Sequence, residues 1–334
     1  MNSVENIDRD FATSAVTAPV VQGPIYGEAL VELGQQNPDV FCLSGDLTPA
    51  TEANLFRDQI PERFLNFGIA EANMIGAAGG IARSGGIPVV HSFSVFLTRR
   101  AYDQVAMQVA YPRTNVKLAG FLPGLTTLLG VSHQAIDDVA LMRALPNMTI
   151  IEPADADELR ASLFAAAKMN GPVYLRLRRA DLQPIQTQKP RQFEIGKGQL
   201  VRDGNDAVIF ASGMMVSLAV QAAELLQEKG ISAAVANIHT IKPLDVEFVT
   251  SLVRDRRLVI AAENHSIIGG LGSAVCEAVA EAGLGAVVER VGIRDVFAEG
   301  GTTAYLFQKY GLSAEAIVDA CLRAEMRAGK GKQA

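Results

Sequence analysis

The stretch that decides how this chain folds is residues 63–74, which read RFLNFGIAEANM. A short apolar segment ends there, and a helix rich in Ala, Gly, Ile and Met begins with Glu71 at the junction. The small and apolar neighbours predict that this carboxyl group is largely removed from water, where a carboxyl without a cation holds its proton near neutrality. Such a group can exchange a proton with a ring nitrogen. The alternative is a glutamate that only stabilises the positive end of a helix.

Two phenylalanines follow in residues 88–103, which read PVVHSFSVFLTRRAYD. Phe93 and Phe96 come directly after a predicted strand, and their Phe-x-x-Phe spacing can place two rings so that they flank a flat molecule. Ordinary core packing is the alternative for such a pair.

The composition describes a globular protein. The chain has 334 residues, of which 49% are apolar and 20% charged, and its net charge of −6 comes without clustered basic residues. No apolar run approaches the length of a membrane span, and the N-terminus lacks the pattern of a signal peptide. Cys42, Cys276 and Cys321 show neither paired nor metal-ligand spacing, which is typical of reduced thiols. We therefore expect a cytoplasmic protein that binds neither nucleic acid nor membranes.

Short β-branched runs alternate with amphipathic stretches from Gly23 onward. This alternation predicts an α/β fold of two doubly wound domains, with parallel strands covered on both faces. Residues 1–20 are polar and aperiodic, which predicts a flexible tail, and residues 185–198 have the composition of a linker. The expected domains are therefore residues 21–184 and 199–329. Strands are predicted at residues 40–43, 88–91, 116–119, 149–151, 173–177, 207–210, 233–236 and 258–261.

The segment GIAEANM, residues 68–74, resembles the cofactor-glutamate motif of transketolase-like thiamine diphosphate enzymes. The resemblance runs from about Tyr26 to Glu299, so the whole is similar to the C-terminal half of a transketolase. It implies a pyrimidine-binding domain followed by a transketolase C-terminal domain. It also implies that Glu71 hydrogen-bonds the aminopyrimidine ring of thiamine diphosphate and that Phe93 and Phe96 stack on this ring. In such enzymes the cofactor carries the chemistry and the protein orients it.

The same resemblance supplies further candidate site residues. His133 matches a histidine that contacts the donor carbonyl and the acceptor aldehyde, a task that suits an imidazole, although isolated histidines are usually structural. Asp46 matches an aspartate beside the thiazolium and the partner subunit, and a turn-forming aspartate is its alternative. Arg179 matches an arginine that binds the substrate phosphate, and a solvated basic edge is its alternative. Arg99 stands where single-chain transketolases carry a tyrosine, and we assign it to substrate binding.

The chain departs from the family pattern around the expected substrate. Residues 127–131 read TLLGV, without the acid of the family's Gly-Glu-Asp-Gly loop. A family histidine is replaced by Phe121 or Leu122, and two phosphate ligands expected near Gly23 and Ala50 are missing. These changes predict a more apolar pocket, and a substrate that is less phosphorylated or otherwise modified.

Half of the cofactor site is missing from the sequence. The family holds Mg²⁺ and the diphosphate with a Gly-Asp-Gly string and a later Asn, whereas residues 45–47 read GDL. The resemblance therefore implies an N-terminal diphosphate-binding partner subunit in an α2β2 heterotetramer. Together the subunits would transfer a two-carbon ketol unit from a sugar or sugar-phosphate donor to an aldose. Two alternatives stay open, namely the β subunit of a 2-oxo-acid dehydrogenase and a catalytically silent transketolase-like subunit.

The second domain carries ENHSIIGGLG at residues 263–272, which looks like the family's C-terminal domain. Its glycines could bind an anion at the start of a helix, or they could serve tight packing at a strand-to-helix turn. We expect His265 to be an interface or packing residue.

Overall fold

The computed structural model describes residues 24–179, 184–185 and 192–330. The expected tail (1–20) and residues 186–191 of the expected linker (185–198) lie outside these residues. Within them, the strands form a seven-stranded sheet and a five-stranded sheet, each packed with helices. No helix in this part of the chain is long and apolar enough to cross a membrane.

The first unit alternates strands and helices along the chain. Its elements are α1 (Ile25–Gln36), β1 (Val40–Ser44), α2 (Asn54–Gln59), β2 (Phe64–Asn66), α3 (Glu71–Arg83), β3 (Ile87–Phe93), β4 (Lys117–Phe121), α4 (Asp138–Ala144), β5 (Thr149–Ile151), α5 (Ala156–Lys168) and β6 (Val173–Leu177). Between β3 and β4, residues 96–110 are helical, with π-helical runs at Phe96–Arg100 and Val105–Ala110.

The second unit repeats the alternation with shorter connections. Its elements are β7 (Gln199–Arg202), β8 (Ala207–Ala211), α6 (Met215–Glu228), β9 (Ala233–Asn237), β10 (Thr240–Lys242), α7 (Val246–Arg254), β11 (Leu258–Ser266), α8 (Leu271–Glu281), β12 (Val287–Ile293), α9 (Thr303–Tyr310) and α10 (Ala314–Lys330). Strands β4, β6, β8 and β9 are buried at every position, as expected for apolar parallel strands covered on both faces.

The strand order is β10-β5-β6-β4-β3-β1-β2 in the first sheet and β12-β11-β8-β9-β7 in the second. Among the described strands, β10 pairs antiparallel with β5, and β7 pairs antiparallel with β9. These two antiparallel edges were not predicted from the sequence pattern. Because β10 belongs in sequence to the second unit, its pairing joins the two units through backbone hydrogen bonds.

The register of the first sheet aligns the ends of its parallel strands. Ser44 pairs with His91, Phe93 pairs with Phe121, and Phe121 pairs with Leu177. Loops that follow the carboxyl ends of such strands meet at one edge, where open α/β sheets bind their ligands. The candidate residues 46, 71, 96, 133 and 179 all follow strands of this sheet, and Phe93 is the last residue of β3.

A buried ionic network also joins the two units. Arg176 in β6 donates to Asp138 at 2.8 Å, to Glu152, and to the carbonyl oxygen of Asn264 at 2.8 Å. Glu152 also accepts a 2.6 Å hydrogen bond from the Ser212 hydroxyl. Burial, the largest influence, raises the pKa of the Asp138 carboxyl, but Arg176, through its charge and its hydrogen bonds, acts together with His265 and Tyr174 to bring the pKa below its ordinary value. Because a lone buried charge is costly, this network fixes one arrangement of the two units.

Candidate active site

Glu71 lies buried where α3 begins, at the carboxyl edge of the first sheet. Its side chain is 1% exposed, which confirms the burial expected from its neighbours. Oε2 accepts a hydrogen bond from Arg100 Nη1 at 2.8 Å, and Oε1 accepts one from the Ser92 hydroxyl at 3.3 Å. The carboxylate therefore combines three stabilising neighbours, namely a cation, a hydroxyl and the positive end of a helix. The expectation of a carboxyl group without a neighbouring cation was therefore wrong.

Arg100 is the site residue that sequence reasoning missed. Its guanidinium carbon lies 4.0 Å from the centroid of the Phe96 ring, so one planar group both stacks on the aromatic and binds Glu71. Phe96 and Arg100 are four residues apart in one helical run, a spacing that puts two side chains on the same face. That spacing, together with an aromatic and a cation at its ends, was the signal available in the sequence.

Phe93, Phe96 and His133 form one aromatic cluster. The two phenylalanine centroids are 5.9 Å apart with ring planes at 31°, and His133 stands edge-on at 5.1 Å from Phe96 and 6.1 Å from Phe93. A ring sandwiched between two others needs roughly 7 Å between the outer planes, because carbon atoms pack at about 3.5 Å. In this arrangement the two phenylalanines present one adjoining aromatic surface, without the gap that a flat molecule between their rings would need, and their part in cofactor binding stays a prediction.

His133 is half-buried, and its Nδ1 lies 2.9 Å from the Ser132 hydroxyl oxygen. Burial, and then the positive charge of Arg100, lower the pKa of His133 below its ordinary value. The imidazole is therefore neutral at pH 7, with one nitrogen that can accept a proton and one that can donate. This is the state required of a group that exchanges protons with a substrate oxygen.

Asp46 follows β1 in a left-handed turn with φ of 62° and is exposed. Its backbone N–H donates to Asn66 Oδ1 at 3.2 Å, and Asn66 Nδ2 donates to Asp46 Oδ1 at 3.3 Å. A Cβ on the preceding Gly45 would stand 3.5 Å from Glu71 Cγ, so this turn runs beside the buried carboxylate. Asp46 thus has the turn geometry of the alternative interpretation and also the position expected for a cofactor neighbour.

The two candidate arginines have other neighbours. Arg99 Nε donates to both carboxylate oxygens of Asp137 at 2.9 Å, which ties the helical segment 96–110 to the residue before α4. Arg179 lines a small cleft with Tyr26 and Glu52. Burial raises the pKa of Glu52, and Arg179 partly offsets that effect. The assignments of Arg99 and Arg179 to the substrate stay predictions.

The loop between β4 and His133 forms an apolar wall beside the aromatic cluster. Residues 123–127 are buried, Leu129 and Val131 are exposed, and residues 122–132 contain no acid. The His133 N–H donates to the Gly130 carbonyl oxygen at 2.9 Å, so the loop closes directly onto the histidine. The conformation of the loop therefore influences the position of the His133 imidazole.

The glycine-rich turn before α8 already holds an anion from the chain itself. The Glu263 carboxylate accepts the backbone N–H groups of Leu271 at 2.7 Å and Gly272 at 2.9 Å. This contact favours the structural interpretation of the glycines. His265 is buried between the units, with Nε2 3.9 Å from Asp138 Oδ1, in agreement with an interface residue.

Comparison with known proteins decides the family. Residues 22–184 match the transketolase pyrimidine-binding domain, and residues 196–317 match the transketolase C-terminal domain. The chain belongs to the transketolase family. Its α/β fold, with a pyrimidine-binding and a C-terminal transketolase domain, is confirmed.

Members of the transketolase family of similar length resemble the chain along most of their sequences. The 6-deoxy-6-sulfo-D-fructose transketolase subunit SqwH of Clostridium sp. (strain MSTE9) is 44% identical over 88% of this chain and 91% of its own. A putative transketolase C-terminal section of Methanocaldococcus jannaschii is 42% identical over 87% and 92%. A solved split-gene transketolase, described as an inactive beta4 tetramer, superposes with a TM-score of 0.81 at 43% identity, covering 90% of this chain and 96% of its own. The chain thus corresponds to a C-terminal section of a transketolase.

Proposed function

We propose that this chain is the C-terminal subunit of a two-component transketolase and transfers a two-carbon ketol unit from a ketose or ketose phosphate to an aldose. One observation carries the proposal: a buried glutamate at the start of α3 lies at the same sheet edge as an aromatic pair and a neutral histidine. Relatives of similar length that are named as transketolase subunits or sections support it.

The residues present fit the aminopyrimidine half of thiamine diphosphate. Glu71 offers a carboxylate with a hydrogen-bonding partner on each oxygen, and Phe93 with Phe96 offers an aromatic surface on which a flat heterocycle can stack. When bound, the cofactor supplies the carbon nucleophile that carries the ketol unit. In our proposal Glu71 exchanges a proton with the pyrimidine ring nitrogen, and Asp46 lines the side of the site that faces the partner.

We assign His133 to the substrate. A neutral imidazole can donate a proton to an oxygen that gains negative charge and can recover that proton in the next step. Arg179 is our candidate for an anionic group on the substrate, and Arg99 is a weaker one because Asp137 already neutralises it.

We place the ligands of the diphosphate and of Mg²⁺ on an N-terminal partner subunit, in an α2β2 assembly. Ile69, two residues before Glu71, is 76% exposed, and such an apolar side chain next to the site suits a subunit contact. A relative that is described as an inactive β4 tetramer agrees with a chain that needs a partner for activity. We also propose a cytoplasmic location on the sequence grounds given above, and fractionation of host cells tests it.

The decisive assay reconstitutes the chain with its N-terminal partner, Mg²⁺ and thiamine diphosphate. Xylulose 5-phosphate, fructose 6-phosphate and 6-deoxy-6-sulfofructose serve as donors, since a relative is named for the last of these. We expect turnover that falls by at least about 10²-fold in Glu71→Gln. Glu62→Gln, which alters a glutamate whose side chain is 69% exposed, is the matched control and should keep full activity. Full activity in Glu71→Gln, or no product from any donor, would contradict the proposal.

A further inference from the structure

The apolar loop that leads to His133 is held by a side chain from the other domain. Asn264 in β11 is buried, and its Oδ1 accepts the Leu125 N–H at 3.0 Å while its Nδ2 donates to the Pro123 carbonyl oxygen at 3.2 Å. The side-chain amide of Asn264 thus pairs with a backbone donor and a backbone acceptor that are two residues apart on the loop. A neighbouring β-strand would make the same kind of hydrogen bonds. Both backbone groups are buried and need partners: the Leu125 N–H is paired by Asn264, while the Pro123 carbonyl oxygen also accepts a 2.7 Å hydrogen bond from the Thr126 hydroxyl.

The loop is shaped for this contact. Gly124 lies between the two paired residues with φ of 60°, and a Cβ there would stand 2.3 Å from the backbone oxygen of Asn264. Only glycine, which has no Cβ, fits this space, so the loop backbone lies in close contact with Asn264. The contact with Asn264 therefore depends on a glycine at position 124 of the loop.

Asn264 is itself held in place. Its carbonyl oxygen accepts a 2.8 Å hydrogen bond from Arg176 Nη2, and Arg176 is bound in turn by Asp138, five residues after His133. At the far end of the loop, Gln134 Nε2 donates to the Glu299 carbonyl oxygen at 3.0 Å, so the residue next to the histidine also contacts the C-terminal domain. The segment that carries His133 is thereby fixed from the second domain on both sides.

We infer that Asn264 is a positioning residue, through which the C-terminal domain sets the conformation of loop 122–131 and thereby the place of His133 against the substrate. This inference rests on the proposed function, because it concerns the ketol-transfer site. Asn264 acts through the loop, so its loss alters substrate binding and leaves the Glu71 and Phe96 surface that receives the cofactor unchanged.

The test uses the complete two-subunit enzyme with Asn264→Leu, which keeps the branched shape of the side chain and removes both hydrogen bonds. We expect hydrogen–deuterium exchange at the Leu125 amide to accelerate about tenfold or more, because a net hydrogen bond is lost. KM for the sugar substrates should rise about tenfold, while the dissociation constant of thiamine diphosphate stays within about twofold.

Two further variants guard against a general loss of structure. Gly124→Ala pushes the loop away from Asn264 from the opposite side and should reproduce both effects. Asn237→Leu is the matched control, because Asn237 is buried in the same domain and also reaches across to the first one, at Glu158 Oε1, 2.8 Å away. It should leave exchange at Leu125 unchanged.

Unchanged exchange at Leu125 in Asn264→Leu would overturn the inference, and so would accelerated exchange with unchanged KM. Failure of the proposed function has a separate signature, since the wild-type pair would then give no product with any donor. In that case the exchange experiment still decides whether Asn264 fixes the loop.

Discussion

Removing the guanidinium of Arg100 should destabilise the isolated chain by an amount that can be worked out from its contacts. A hydrogen bond between charged groups contributes about 1.5–3 kcal/mol, and stacking of a cation on an aromatic ring contributes about 0.5–1 kcal/mol at an exposed site. The Arg100 side chain is 44% exposed and that of Glu71 only 1%, which places the ion pair near the lower end of its range. We expect Arg100→Met to lower the free energy of unfolding by about 2–3 kcal/mol at pH 7.

A double-mutant cycle with Glu71→Gln isolates the pair itself. Urea unfolding followed by circular dichroism on the four proteins should give a coupling energy of about 2 kcal/mol between Arg100 and Glu71. Arg99→Met is the matched control, since Arg99 is the adjacent arginine and is paired with Asp137. Its coupling to Glu71 should stay within about 0.5 kcal/mol, as for independent sites. A coupling energy within about 0.5 kcal/mol between Arg100 and Glu71 would show that Arg100 does not stabilise the buried carboxylate.

Three further predictions concern the substrate side and the domain junction. Arg100→Met should raise the pKa of His133, because a positive charge that lowers it is gone, and the acidic limb of the pH–rate profile should move to higher pH; NMR titration of the ring checks this. Asp138→Asn should cost about 3–5 kcal/mol at pH 7, since it leaves Arg176 with less opposing charge. Because the folded-state pKa of Asp138 is below its ordinary value, the stability it contributes is present above about pH 4 and is lost as the pH falls through the folded-state pKa, so urea unfolding of wild type and variant should converge in acid. Arg179→Ala should raise KM for a phosphorylated donor far more than for an unphosphorylated one, and equal effects in steady-state kinetics would remove its assignment.

The sequence predicts the buried parallel strands well. The predicted strands at residues 149–151 and 173–177 coincide with β5 and β6, because runs of β-branched and aliphatic residues bounded by turn residues leave little choice. Strand β10 was missed, since it is short and its partner β5 lies some 90 residues earlier in the chain. Strands β2, β7 and β12 were missed as well.

In the candidate site, too, some features were predicted from the sequence and others were missed. Resemblance to a family named Glu71, Phe93, Phe96 and His133, and the structure places the last three in mutual contact. The partner of Glu71 was missed, because two arginines stand side by side and only the four-residue spacing from Phe96 distinguishes Arg100 from Arg99. The role of Asn264 was equally hidden, since its hydrogen bonds span about 140 residues between two domains.

The central claim is that this chain supplies only the pyrimidine half of a thiamine diphosphate site shared between two subunits. Calorimetric titration of Mg²⁺–thiamine diphosphate into the chain alone, into its N-terminal partner alone and into their mixture tests this most directly. We predict tight binding in the mixture, with one cofactor per pair of chains, and much weaker or no binding to either chain alone. Tight binding to this chain by itself, or no binding in the mixture, would contradict the central claim.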